Sequence, residues 1–239
     1  MPSLFILISF FLVASAQPDW SFLSCILTAI GGYALFWRGM LSLSSLKKRF
    51  FVAMLWFAGI QAIHLSWFAS DHYVGSYIYA FLATAALLSG LCFGLFSLLI
   101  PPSVELNMSK ICALAGGWAL FEWSRLFILS GFSWDPMGLS LTSTLVGMQM
   151  ASLMGVFGLS FWVLITNFCI LRCLERPFIS SKLALGALFV FFPYIWGACA
   201  LWYHHNQMEK AGTLSVVVIQ TALSPEEKYG FSKAFPANI

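Results

Sequence analysis

The amino-acid sequence predicts an all-α polytopic membrane protein with about seven transmembrane helices, followed by the start of a soluble domain. The first observation is composition: of 239 residues, 60% are hydrophobic and 9% are charged, whereas soluble domains carry about 25% charged residues. The second is a series of apolar segments of membrane-spanning length, and the third is the alternation of basic and non-basic connections between them. So few charges cannot cover a water-facing surface, which indicates that lipid covers it.

Seven apolar segments are candidates for transmembrane helices, because crossing a hydrocarbon core of about 30 Å takes roughly 20 apolar residues. They are Leu4–Ala16, Phe22–Trp37, Phe51–Ala69, Tyr77–Ile100, Ile111–Leu129, Leu153–Leu171 and Leu183–Tyr203. The first two are short, and we expect them to form a thin or tilted hairpin. Together the segments define a transmembrane helical domain over residues 1–205.

The first segment ends in Ala14-Ser15-Ala16, which is similar to a signal-peptide cleavage site. Signal peptides also carry a positively charged region before the apolar stretch, and no Lys or Arg precedes this one. We therefore predict that the first segment is retained as a helix.

Basic residues occur in every second connection between the segments. They are Arg38, Lys47, Lys48 and Arg49, then Lys110, then Arg172, Arg176 and Lys182. The intervening connections contain Asp19, Asp71 with His72, and Asp135, but no Lys or Arg. Because basic connections stay on the cytoplasmic side, we predict a cytoplasmic N-terminus and a tail after Tyr203 on the far side of the membrane.

The connection over Ser130–Ser152 differs from the others because its second part, Leu145–Leu153, is apolar yet too short to span the membrane. We expect an interfacial or re-entrant segment, which is tolerated where protein or water covers the backbone.

The residue pattern changes after the seventh segment. Leu214–Ile219 is a continuous, largely β-branched run that is typical of a buried strand. One strand cannot form a core by itself. We therefore expect residues 206–239 to be the incomplete start of an extracytoplasmic domain.

Two pairs of polar residues lie within the segments, where ionisable groups commonly mark function. Glu122 and Arg125 share a helical face at i, i+3 and are expected to neutralise each other. They either tie helices together or form a cradle for a lipid headgroup. Gln61 and His64 share a face in the outer half of the third segment, where His64 is either a packing residue or close to a lipid.

No metal or cofactor site is expected. The six cysteines all fall in apolar runs without paired spacing, and the adjacent His204 and His205 have no carboxylate or thiol near them in sequence.

Four motifs carry a resemblance to a known family. They are Glu122-x-x-Arg125, Ser130-Gly131-Phe132-Ser133-Trp134, Met154–Phe161, and Val218-Ile219-Gln220 followed by Pro225, Lys228 and Tyr229. The set resembles the bacterial apolipoprotein N-acyltransferases, with Ser130 and Ser133 in place of the usual Thr and Pro. The tail is similar to the first strand and loop of that family's α/β nitrilase-like (carbon–nitrogen hydrolase-like) domain, with Tyr229 where the family has Trp.

The resemblance implies a multi-pass protein of the bacterial inner membrane with a periplasmic tail, and an acyltransferase activity in lipoprotein maturation. An acyl chain passes from a phospholipid to the N-terminal amine of a diacylglyceryl-cysteine lipoprotein, through a thioester on a cysteine. The implied glutamate, lysine and cysteine have no counterpart in these 239 residues, so no catalytic residue is assigned and the chain alone is expected to be inactive. The candidate lipid-proximal residues are Glu122, Arg125, Trp134, His64 and Tyr229.

Several alternatives stay open at this point. The chain is either a truncated acyltransferase or a membrane domain completed by a separate nitrilase-like chain. From other classes, a small transporter and a non-enzymatic module that binds lipid or protein also fit the composition. No nucleic-acid partner is expected.

Overall fold

A computed structural model describes residues 2–69, 75–101, 105–128, 131, 133–175, 180–208 and 215–219. Within these ranges the chain is helical and contains no strand. The α-helices are α1 (Pro2–Ala14), α2 (Phe22–Leu27), α3 (Tyr33–Leu41), α4 (Leu46–His64), α5 (Tyr77–Leu98), α6 (Met108–Ser124), α7 (Leu145–Met148), α8 (Ala151–Glu175) and α9 (Ser180–Met208). Short 3₁₀ helices form at Ser66–Phe68, Arg125–Phe127 and Met137–Ser143.

Each of the seven apolar segments contains a helix, but their lengths differ. Four helical stretches of the described chain are long and apolar enough to cross a membrane: Phe22–Leu41, Tyr77–Leu98, Ala151–Leu174 and Gly186–Gln207. Helix α1 has only 13 residues, about 20 Å of rise, and α6 has 17. Helix α4 begins at Leu46, five residues before the predicted segment, and so includes Lys47, Lys48 and Arg49. The count of about seven spans stays a prediction.

The expected hairpin of the first two segments is present, with α1 packed against α3. Gly39 lies against Ile6 and the backbone of Pro2, while Gly32 lies against Val13, so the two helices are antiparallel. Val13 and Ala14 are buried in the central core. This packing makes α1 an integral part of the bundle.

Helix α2 continues into α3 through a π-helical turn at Thr28–Gly32. The amide of Asn167 on α8 crosses to this turn. Its Nδ2 donates to the carbonyl oxygens of Thr28 and Ala29, both at 3.1 Å, and its Oδ1 accepts from the Ala34 N–H at 3.0 Å. The buried Asn167 side chain therefore forms hydrogen bonds with backbone groups that the wider π-helical turn displaces from the regular α-helical pattern.

Aromatic rings fill the centre of the bundle. Phe93 stacks on Phe57 with 4.4 Å between ring centroids, and Trp37 stacks on Phe168 at 4.6 Å. The close pairing of α4 and α5 depends on Gly90, because an added Cβ there would meet the Met54 carbonyl oxygen. Small residues at such crossings let membrane helices approach closely.

The connection before α8 folds back into the bundle. Met137, Gly138 and Leu141 of its 3₁₀ helix are buried, and Gly138 lies directly against Leu159 of α8. Helix α7 packs on α9, where Gly197 meets the Val146 backbone. Protein therefore covers this irregular backbone, as expected for a re-entrant segment.

The part of the tail that the structure describes contains no strand, so the predicted buried strand stays a prediction. Residues 215–219 have no regular secondary structure, and the side chains of Val216 to Ile219 are between 72% and 89% exposed. The physical reason is that a strand needs a neighbouring strand for its hydrogen bonds and apolar side chains. The remainder of the predicted domain at 206–239, beyond the end of α9, lies outside the described residues.

Candidate functional site

Three connections meet at one end of the bundle. The turn after α1 contributes Gln17, Asp19 and Trp20; α4 ends at His64 and is followed by Trp67; and the connection before the Met137–Ser143 helix contributes Trp134 and Asp135. His64 is the last residue of α4, Gln17 follows α1, and Asp135 precedes the Met137–Ser143 helix. Regular backbone hydrogen bonding stops at helix ends, so side chains there can connect helices that are far apart in sequence.

The Asp135 carboxylate accepts hydrogen bonds from three side chains. Gln17 Nε2 donates to Oδ1 at 3.0 Å. Gln61 Nε2 and His64 Nδ1 both lie at Oδ2, at 2.5 and 2.8 Å. Asp135 also has a left-handed backbone with φ +53°, a conformation that costs energy in a non-glycine residue unless its surroundings stabilise it. The three hydrogen bonds supply that stabilisation.

Both ring nitrogens of His64 face acceptors. Nε2 lies 3.0 Å from the Val13 carbonyl oxygen and 3.2 Å from that of Ala14, and Nδ1 lies against Asp135. Carbonyl and ionised carboxylate oxygens only accept, whereas a neutral imidazole has a single N–H. The arrangement is fully satisfied when His64 is an imidazolium paired with the Asp135 carboxylate, a state assigned from the hydrogen-bond network.

A cavity of about 380 Å³ opens above this pair. Its lining residues are Gln17, Asp19, Trp20, His64, Leu65, Trp67, Trp134, Asp135 and Leu139. A second cavity, of only about 10 Å³, lies on the inner side of the same pair, close to the volume that one water molecule needs. The Asp135–His64 pair is therefore the floor of the larger cavity.

Aromatic rings form the wall of the larger cavity. The Trp134 ring lies 5.7 Å from that of Trp67 at an interplanar angle of 67° and 4.9 Å from that of Phe68. The Trp20 ring stands edge-on to His64 at 6.3 Å. The exposed fractions of Trp20, Trp67 and Trp134 are 54%, 64% and 39%. The wall therefore offers a large aromatic surface to a ligand in the cavity.

Glu122 holds the opposite side of the same connection. Its Oε1 accepts from the Trp118 indole N–H at 2.8 Å and from the Met137 backbone N–H at 2.9 Å, and the residue is 1% exposed. Because Met137 follows Asp135 by two residues, the connection is tied on one side to α6 and on the other to α1 and α4.

Glu122 and Arg125 form no direct ion pair: Glu122 Oε2 and Arg125 Nε are buried without a hydrogen-bond partner. The charge of Arg125 still acts on the Glu122 carboxylate from a longer distance. The α-helix ends at Ser124, and Arg125 starts a 3₁₀ turn. The two side chains leave this shared stretch in different directions, although their spacing along it is i, i+3. Glu122 points to the interior, and the Arg125 guanidinium lies 5.8 Å from the centroid of the Phe121 ring.

The candidate residues thus fall into three groups. His64 and Trp134, which are 70 positions apart in sequence, meet at one cavity. Glu122 supports the loop below it, and Arg125 is not part of the cavity lining. Tyr229 lies outside the described residues.

Sequence reasoning missed Asp135, the centre of the hydrogen-bond network, and Gln17. A signal was available, because Asp135 is the one charged residue in the connection over Ser130–Ser152 and directly precedes Pro136. Among the residues that the structure describes, no group of three His, Cys, Asp or Glu side chains could hold a metal ion.

The fold and cavity define a class: a polytopic helical membrane domain with basic residues at one end and an aromatic-walled polar cavity at the other. A sequence model described as the apolipoprotein N-acyltransferase N-terminal domain matches residues 9–169. The chain belongs to the apolipoprotein N-acyltransferase family.

Similar proteins include apolipoprotein N-acyltransferases from Chlamydia and Rhizobium species. An apolipoprotein N-acyltransferase of Chlamydia trachomatis is 33% identical over 95% of this chain and 42% of its own length, and that of Chlamydia caviae is 34% identical over 91% and 41%. One from Rhizobium rhizogenes is 31% identical over 62% of this chain and 25% of its own length. The chain thus spans about two fifths of the length of the chlamydial relatives.

Proposed function

We propose that this chain is the membrane domain that presents two lipid substrates for N-acylation of lipoproteins. The substrates are a phospholipid acyl donor and the N-terminal diacylglyceryl-cysteine of a lipoprotein. The observation that supports this most is the cavity over Asp135 and His64, which combines a polar floor with a wall of tryptophans. Family membership supplies the reaction, and the cavity supplies a place for lipid headgroups next to the apolar bundle.

We further propose that the cavity opens at the outer face of the bacterial inner membrane, with the N-terminus in the cytoplasm. Lys47, Lys48 and Arg49 stand at the first turn of α4, and His64 is its last residue. Since α4 has 19 residues, about 28 Å separates the basic end from the cavity. The positive-inside rule then favours the cavity on the periplasmic side.

The chemical step proceeds in two parts in this proposal. A cysteine thiolate attacks the phospholipid ester, its sulfur–carbon bond forms, and the lysophospholipid leaves. The lipoprotein amine then attacks the thioester, an amide forms, and the thiol is released. A nitrilase-like part, with a glutamate as base and a lysine at the oxyanion, performs both steps, and residues 206–239 belong to its start. We also propose that these three groups lie outside the 239 residues, so that the chain alone binds lipids without transferring an acyl group.

Individual residues receive roles on the same basis. Asp135 and His64 hold the connection in place, so that Trp134 faces the cavity. Glu122 fixes its other side through the Met137 N–H. Arg125 is proposed to contact a lipid phosphate from outside the cavity, and Tyr229 to contact lipid from the tail.

Photocrosslinking in nanodiscs tests this proposal. The chain is reconstituted with a phospholipid that carries a photoreactive group near its headgroup, and labelled peptides are mapped by mass spectrometry. We expect labels to concentrate at Trp20, Trp67 and Trp134, and a diacylglyceryl-cysteine peptide to compete for them. Labels spread evenly over lipid-facing helices such as α5, with no competition, would contradict the proposal.

A non-enzymatic lipid-binding module is the second candidate, since the same cavity supports it. The two differ when the chain is supplied with a nitrilase-like catalytic half from a chlamydial relative. Transfer of an acyl chain to the peptide favours the acyltransferase. Lipid binding without any transfer favours the binding module.

A further inference from the structure

We infer that the 380 Å³ cavity is a binding site for an ammonium group, held by the carboxylate of Asp19 and the faces of Trp20, Trp67 and Trp134. This inference rests on the proposed function and adds the chemistry that the site recognises. Two sources could supply the ammonium: the headgroup of a zwitterionic phospholipid, or the protonated N-terminus of the lipoprotein acceptor.

The residues that line the cavity carry a net negative charge. The ionisable residues that line the cavity are Asp19, Asp135 and His64, and no Lys or Arg does so among the described residues. The imidazolium of His64 balances Asp135, which leaves Asp19 with a net charge of −1. A cavity of that charge favours a cation and disfavours an isolated phosphate or carboxylate.

The two carboxylates differ in what they can still bind. Both oxygens of Asp135 are occupied by the side chains of Gln17, Gln61 and His64. Asp19 is exposed at the mouth, with no hydrogen bond or ion pair to another described residue. Asp19 is therefore the carboxylate that can accept a hydrogen bond from an entering ammonium, and Asp135 is the floor beneath it.

The aromatic wall of the cavity also favours a cation. Cations bind over the faces of aromatic rings, most strongly over Trp, and rings set at steep angles around one space form a cage for an ammonium. Trp67 and Trp134 meet at 67°, and Trp20 lines the same cavity. A volume of about 380 Å³ also falls within the range of roughly 300–1,000 Å³ that is typical of small-molecule sites.

Equilibrium binding to the 239-residue chain in nanodiscs of uncharged lipid tests the inference. The lipid probes share acyl chains and differ in the head: phosphatidylethanolamine, phosphatidylcholine and phosphatidylglycerol. The acceptor probe is a diacylglyceryl-cysteine peptide, with its amine either left unmodified or acetylated. We expect a preference for the ammonium-bearing member of at least one pair, and we expect tetramethylammonium to displace that ligand from the unmodified protein.

The variant Asp19→Asn removes the charge with almost no change in size at an exposed position. It is expected to weaken binding of a ligand with a primary ammonium about tenfold, in line with hydrogen bonds to charged groups, and not to weaken phosphatidylglycerol. Glu105→Gln is the matched control, because Glu105 is also exposed and pairs with Lys110, 3.5 Å away, at the opposite end of the bundle. Melting curves of both variants establish that each is folded.

The outcomes separate the alternatives. Preference for the ammonium-bearing lipids that Asp19→Asn abolishes identifies the headgroup as the source; preference for the unmodified peptide amine identifies the acceptor. Equal binding of all probes, or no displacement by tetramethylammonium, would overturn the inference. If ammonium selectivity is present but the chain supports no acyl transfer with a catalytic half, the proposed function fails and the site stands.

Discussion

Two carboxylates, Asp135 and Glu122, hold the connection that carries Trp134, and they have different tasks. Asp135 faces the cavity and accepts hydrogen bonds from three side chains on α4 and the turn after α1. Glu122 faces the core, uses one oxygen for two donors, and leaves the other without a partner. One loop is therefore fixed from two directions: Glu122 connects it to the bundle, and Asp135 shapes the surface that a ligand meets.

Replacing Glu122 by Ala should have the largest effect on stability. It leaves the Trp118 indole N–H and the Met137 backbone N–H buried without acceptors, which costs roughly 3 kcal/mol in unfolding free energy. Thermal or denaturant unfolding of the chain in detergent measures this. Glu105→Ala, at an exposed position, should change the unfolding free energy by less than about 0.5 kcal/mol. Equal stability of the two variants would show that Glu122 does not anchor the loop.

Asp135→Asn should be intermediate and should affect both stability and binding. The new amide nitrogen faces donors where the carboxylate accepted, so at least one of Gln17, Gln61 and His64 loses its hydrogen bond, at a cost of about 1–3 kcal/mol. The loop that carries Trp134 then loses its fixed position, and lipid crosslinking at the cavity should fall. Unchanged stability together with unchanged crosslinking would contradict the role given to the network.

Trp134→Ala should have the smallest effect on stability and still reduce binding. Its side chain is 39% exposed, so we expect a loss of less than about 1.5 kcal/mol in unfolding free energy. An ammonium ligand should bind severalfold more weakly, because one face of the cage is lost. Trp123→Ala provides a control, since Trp123 is also partly exposed, at 47%, but does not line the cavity. Equal binding by both variants would exclude Trp134 from the site.

Much of the fold followed from local patterns. Each apolar segment contains helical residues, the expected hairpin is present, and the connection before α8 folds back into the bundle. The errors lie at helix ends: α4 starts at Leu46 because Lys47–Arg49 form its first turn, and α6 changes to 3₁₀ geometry at Arg125. Hydropathy identifies the buried part of a helix, whereas its ends depend on capping and on neighbouring elements.

For the site, sequence reasoning selected His64 and Trp134 but treated them separately, and it paired Glu122 with Arg125. Spacing along one helix predicted the shared face of Gln61 and His64, because that relation is local. It could not predict that Asp135, 71 positions from His64, accepts hydrogen bonds from both. Nor could it predict that Glu122 prefers Trp118 and Met137 to Arg125.

Composition, periodicity and motifs are properties of the chain read in order, and they were sufficient to predict a membrane-embedded helical bundle, the segregation of basic residues, and membership of the apolipoprotein N-acyltransferase family. Which polar groups share a site depends on the packed structure instead. In an apolar interior each polar group must find a partner, and which partner is within reach depends on how the helices pack. Asp135 takes the donors at the ends of α1 and α4 because the packed bundle brings those two ends together beside it.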